Sequence, residues 1–151
     1  MAAGFYQFYL FPSENRVLLS DEFIEFIGDE YVPFDSFVSE LLSIEHIIKY
    51  SPKDKWPSFD DECYYCYDDG MNMIEMELNA GTKEEKITEI SVRTSLYKSY
   101  GNISITIDFC REICNRSNLK AWDMKLKHVI DFNNQKHIKS VINKFESYKK
   151  M

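Results

Sequence analysis

Between Ser58 and Gly70 the chain reads SFDDECYYCYDDG, with Cys63 and Cys66 spaced C-x-x-C among five carboxylates and three tyrosines. Three chemistries use such residues: thiolate ligation of a metal, thiol–disulfide exchange, and recognition of a cationic partner by an acidic, aromatic surface. A metal knuckle needs both sulfurs on one side of a tight turn. The intervening Tyr64 and Tyr65 favour an extended strand, in which residues three apart point to opposite faces. Asp60, Asp61, Glu62, Asp68 and Asp69 would also raise both thiol pKa values by like-charge repulsion, opposing metal binding and redox exchange. Cys110 and Cys114, at i and i+4 on an expected helix, would complete an alternative four-thiolate set with Cys63 and Cys66. The favoured expectation is four buried free thiols, because cysteine is among the most buried residue types. No metal or other cofactor is expected. The carboxylates also lack the D-x-[DN]-x-[DN]-G order of a calcium loop.

The third chemistry fits better. Trp56, Phe59, Tyr64, Tyr65 and Tyr67 interleave with the acids, and on a hairpin one row of side chains faces the core while the other faces water. Some rings are therefore expected beside carboxylates at the surface. The expected partner-binding set is Trp56, Asp60, Asp61, Glu62, Tyr64, Tyr67, Asp68 and Asp69, with rings as anchors and acids steering a basic protein. The plainer reading of the same residues is a half-buried strand with solubilising charges.

The rest of the chain narrows the choice. His46, His128 and His137 are scattered over separate expected elements, and no nucleophile elbow, H-E-x-x-H, P-loop or dinucleotide fingerprint occurs. Five glycines leave little with which to build a phosphate cradle. Residues 1–81 hold 17 Asp and Glu against 4 Lys and Arg, whereas residues 82–151 hold 8 against 14. A net charge of −7 opposes nucleic-acid binding, for which a basic excess is the footprint. No apolar run approaches the ~18 residues of a membrane span, and the N-terminus lacks a basic region before its apolar run, so neither membrane insertion nor secretion is expected. Four cysteines are too few for a disulfide scaffold, which favours the cytoplasm.

The elements that must position these residues follow from periodicity. The length of 151 residues, 44% of them hydrophobic, suits one domain with a real core. Residues 5–11 and 16–19 read as strands around a Ser-Glu-Asn turn. Ser20 reads as the cap of a short helix, DEFIEFI, ending before Gly28. A second helix is expected from Pro33 and Asp35 to near Tyr50, and 51–61 as a proline-containing loop. ECYYCY and MNMIEMEL flank Asp-Asp-Gly as a hairpin, and residues 87–96 continue an antiparallel meander. After a loop at 97–102, ITIDFCREICNR reads as a helix, residues 120–130 as one alternating strand, and the stripe Ile138, Val141, Ile142, Phe145 as a final helix capped at Asn133–Asn134. The expected fold is α+β: an antiparallel sheet of about four to six strands, with three to four helices packed mainly on one face.

The acidic aromatic character of residues 56–69 and the strand–helix pattern from residue 87 onward resemble the immunity proteins of bacterial polymorphic-toxin and contact-dependent inhibition systems. The resemblance implies a non-catalytic cytoplasmic protein that binds and neutralises a cognate toxin, often a basic nuclease. The acids would then pair with toxin Lys and Arg. Two other classes stay open: a small carboxylate-based enzyme, and a structural or adaptor domain of a larger assembly.

Overall fold

The computed structural model describes residues 4–21, 23–50, 61–96 and 102–149. Nearly all of the two loops expected at 51–61 and 97–102 lies outside them. In chain order the elements are β1 (Phe5–Pro12), β2 (Arg16–Leu19), β3 (Ile24–Ile27), β4 (Val32–Pro33), α1 (Phe34–Leu42), β5 (Ile47–Lys49), β6 (Tyr64–Asp68), β7 (Met73–Leu78), β8 (Lys86–Ile87), β9 (Ile90–Ser95), α2 (Ile103–Ser117), β10 (Leu119–Asp123), β11 (His128–Ile130) and α3 (Gln135–Lys149). Single 3-10 turns occupy Asp61–Cys63 and Asn79–Gly81.

Seven strands form one antiparallel sheet in the order β11-β10-β1-β9-β7-β6-β5. Alternation decides which side chains enter the core. Tyr6, Phe8 and Leu10 of β1, Ile74, Met76 and Leu78 of β7, and Ile90 and Val92 of β9 are all buried on one face. The helices cover that face: Ile107, Cys110 and Ile113 from α2, Val141 and Phe145 from α3, and Phe34, Phe37 and Leu41 from α1 join the same cluster. The α+β class with helices on one face is as the sequence implies, with one strand more than the expected range. Caps fix the two longer helices. The Asn102 carboxamide accepts from the Ile105 N–H at 3.0 Å, and that of Asn134 accepts from Lys136 and His137.

Three expectations are corrected. The short helix expected over 21–27 is replaced by strand at Ile24–Ile27. The Ser20 hydroxyl does accept from the Phe23 N–H at 3.2 Å, as a helix cap would, but it closes a turn between β2 and β3. The strand wins because Phe26 stacks on Phe11, with centroids 4.9 Å apart, and lies 5.6 Å from Tyr9. The second helix stops at Leu42, where Ser43 turns its N–H and hydroxyl onto the Glu40 carbonyl. His46 takes a left-handed φ of 72°, and Ile47–Lys49 pair with β6. The long strand at 120–130 breaks into β10 and β11. Asp123 accepts from the Lys125 and Leu126 N–H groups at 2.8 and 2.9 Å, and Lys127 adopts a φ of 58° to complete the reversal.

The β2–β3 ribbon lies against the face of the sheet opposite the helices, through Phe26. Its second attachment is Asn15, whose carboxamide donates to the Glu30 carbonyl at 2.9 Å and accepts from the Glu30 N–H at 3.2 Å. β1, from the acidic half of the sequence, lies between β9 and β10 from the basic half. The two halves therefore share one sheet. Charge still varies over the molecule, with acids concentrated around β5, β6 and β7, and lysines in the β10–β11 turn and on α3.

Candidate protein-binding surface

The β6–β7 hairpin forms as its turn residues dictate. Gly70 has a φ of 90°, open to a residue without Cβ. Asp69 accepts from the Met71 and Asn72 N–H groups at 2.9 and 2.7 Å and from the Tyr67 hydroxyl at 3.1 Å. These bonds, the backbone ones foremost, hold its carboxyl at about 2, so it is anionic throughout the neutral range. Asp68 is exposed and accepts from the Gly70 N–H at 2.9 Å. Its own N–H donates to His46 O at 3.0 Å, which brings exposed Glu45 and His46 beside the tip. Met71 projects from the tip with 77% of its surface exposed, and Ile48 is half exposed on the edge strand β5.

The expected site residues are not all gathered here. Trp56 and Asp60 lie outside the described residues, and Asp61 opens the 3-10 turn before β6. Glu62 is exposed but pairs with Lys83 at 2.9 Å. It precedes β6, along which the four steps from Tyr64 to Asp68 already span roughly 13 Å. Tyr64 is 2% exposed, and its hydroxyl donates to Glu77 at 2.6 Å, so its ring is unavailable as a wet anchor. The reason lies in the register. Tyr65 and Tyr67 oppose Met76 and Ile74 on the core face, while Tyr64 and Cys66 oppose Glu77 and Glu75 on the second face. At β6 the second face is buried too. Of the expected rings among the described residues, only Tyr67 reaches the surface in part, wedged between His46 and Phe109.

The thiols are split by the sheet. Cys63, Cys110 and Cys114 belong to the helix-side core, and Cys66 to the second face. Burial chiefly, with Asp68 and Glu75 adding, pushes Cys66 up to about 11, and burial pushes Cys114 up to about 12. Among the described residues no three of His, Cys, Asp and Glu converge in a way that could hold a metal.

Two features were missed by the sequence reading. On the second face Arg93 reaches Glu75 at 3.3 Å, and Gln7 donates to Ser91 at 2.7 Å. Glu89 has its pKa raised there, by burial first and then by the charge of Glu77. The β2–β3 ribbon, expected as a helix, instead displays Leu18, Leu19, Phe23 and Ile27. The adjacent leucines followed by Ser-Asp were the available signal for it.

Among the described residues no helix is long and apolar enough to cross a membrane. Comparison with protein-family models, curated proteins and solved structures finds no match.

Proposed function

We propose that the protein is a non-catalytic inhibitor of the immunity type, which binds a cationic toxin in the cytoplasm through its acidic surface. The observation that supports this most is the β6–β7 tip, where Asp68 and Asp69 flank exposed Met71 and Asp68 is bonded to the backbone of His46, next to exposed Glu45. Anions beside an exposed apolar side chain steer and then seat a basic protein surface. Asp69 contributes charge without the cost of ordering, since its bonds to the turn already hold it in place.

The test is co-production with the product of the adjacent reading frame. Expected are growth arrest by that product alone, relief on co-production, and a complex whose association slows as salt is raised. Replacing Glu45 and Asp68 by Lys should weaken the complex at least about tenfold at low salt. A neighbouring product whose toxicity is untouched by co-production overturns the reading.

A further inference from the structure

We propose that the β2–β3 ribbon is a docking edge for an extended, cationic and apolar segment of a partner protein. It deepens the inhibitor reading by adding a second contact surface, and rests on the protein being a binder.

Three independent features of the ribbon point this way. First, it is two-stranded, and no third strand among the described residues pairs with either edge. Natural edges are usually blunted by shortness, charge, proline or a bulge; the four-residue strands RVLL and IEFI carry one charge each, Arg16 and Glu25, without proline, and pair in unbroken register from Arg16–Ile27 to Leu19–Ile24. Second, Leu18 and Phe23 are 52% and 53% exposed, with Leu19 and Ile27 also exposed. Half of the large exposed hydrophobics among the described residues lie between Leu18 and Tyr31, so the exposure is a patch rather than scatter. Third, the segment carries exposed Asp21, Glu25, Asp29 and Glu30, against Arg16 as the one basic residue from 13 to 31.

The charge decides the occupant. A second copy of the ribbon would oppose acids to acids, and a nucleic acid would meet the same repulsion. Leu18, Glu25 and Ile27 share one face of the ribbon, so a strand that presents both lysine or arginine and apolar residues on one of its own faces would satisfy the open backbone edge, cover Leu18 and Ile27, and pair with Glu25. The segment is held for this purpose at one end by Asn15 on Glu30 and along its inner side by Phe26 on Phe11.

The experiment uses the full chain, labelled with nitrogen-15 and titrated with an eight-residue peptide of the pattern Lys-Lys-Val-Val-Lys-Lys-Val-Val, which places both residue types on each strand face, with the glutamate–valine peptide of the same pattern as control. Amide shifts should concentrate at residues 16–19 and 24–27 with the cationic peptide, and be lost at high salt. The double variant Leu18→Ser with Phe23→Ser keeps every charge and should bind at least about tenfold more weakly; its unchanged core resonances verify the fold. Shifts confined to the β6–β7 tip, equal binding of the anionic peptide, no binding, an unaffected double variant, or a ribbon-mediated dimer in sedimentation would each overturn the proposal. The readout involves no toxin, so its failure removes the ribbon surface while the co-production test still decides the inhibitor reading.

Discussion

The Tyr6 hydroxyl donates to the Asp123 carboxylate at 2.5 Å, joining residues 117 positions apart in a fully buried setting. Asp123 uses its other oxygen to fold the β10–β11 turn, so one side chain ties the start of the sheet to its last hairpin. Burial raises the pKa of both partners. Tyr6→Phe removes one donor from a buried carboxyl group without changing ring volume. It should cost about 1.5–3 kcal/mol of folding stability, the range for a hydrogen bond to a charged group. Urea unfolding should show a lower midpoint with an unchanged slope; an unshifted midpoint would mean that the bond contributes nothing net.

Protonation adds a second prediction. Glu89 and Asp123 have folded pKa values raised above the ordinary 4.5 and 3.8. Their contribution is therefore fully present below those values and is lost as pH rises through the folded ones. Asp69, lowered to about 2, behaves oppositely: its contribution is present above 3.8 and lost as pH falls through about 2. Glu89→Gln mimics the protonated form. Its Tm should match the parent near pH 4 and exceed it at pH 7, with a flatter slope between. Identical profiles for the two proteins would count against a strained Glu89 beside Glu77.

Thiol chemistry gives the third. A thiol with a pKa near 11, as at Cys66, holds about one thiolate in 10⁴ at pH 7, and all four cysteines are buried and free. Iodoacetamide should leave the native protein unlabelled for as long as it stays folded, and label four sites in urea. Rapid modification of Cys66 in the native state, read by peptide mass spectrometry, is the contrary result.

Local chemistry was the legible part of the fold. The β6–β7 hairpin follows from Asp69 and Gly70, the two longer helices from their apolar stripes, and the last of them also from Asn134, whereas the Asn102 cap lies in what was read as loop. What could not be read depended on distant partners. Ser20 bonding to the Phe23 N–H is common to a helix cap and a tight turn, and the choice between them is made by Phe11, which meets Phe26 only once the sheet exists. At 120–130 the alternation was real, but Asp123 is a turn former as well as a core residue, and it divides the run. For the candidate site, alternation correctly separates Tyr64 from Tyr65, but it carries no information on whether the second face is covered. Tyr64 was therefore expected wet and is buried, while the acids at the tip are where the hairpin puts them.

The last prediction concerns how the ribbon is fastened. Gly28 has a φ of 152°, and a Cβ built there would fall 2.1 Å from Asn15 Oδ1 and 2.6 Å from its carboxamide carbon. Such separations are impossible, and Asn15 is itself buried and bonded twice to Glu30, so its carboxamide cannot swing away without losing both bonds. Gly28→Ala must therefore both strain the backbone and open the Asn15–Glu30 clasp. The Asn15 side chain bonds Glu30 and not the main sheet, to which Asn15 is tied only by its backbone N–H on the Pro12 carbonyl at 2.9 Å, so the damage should be local. Amide exchange should accelerate at Glu30 and along β2 and β3, with protection of β1, β7 and β9 retained. Asn15→Ala, which removes the clasp but leaves the glycine conformation alone, should reproduce the faster exchange with a smaller loss of Tm. If Gly28→Ala leaves ribbon exchange unchanged, the clasp is not what holds the ribbon, and the stacking of Phe26 on Phe11 must hold it without help.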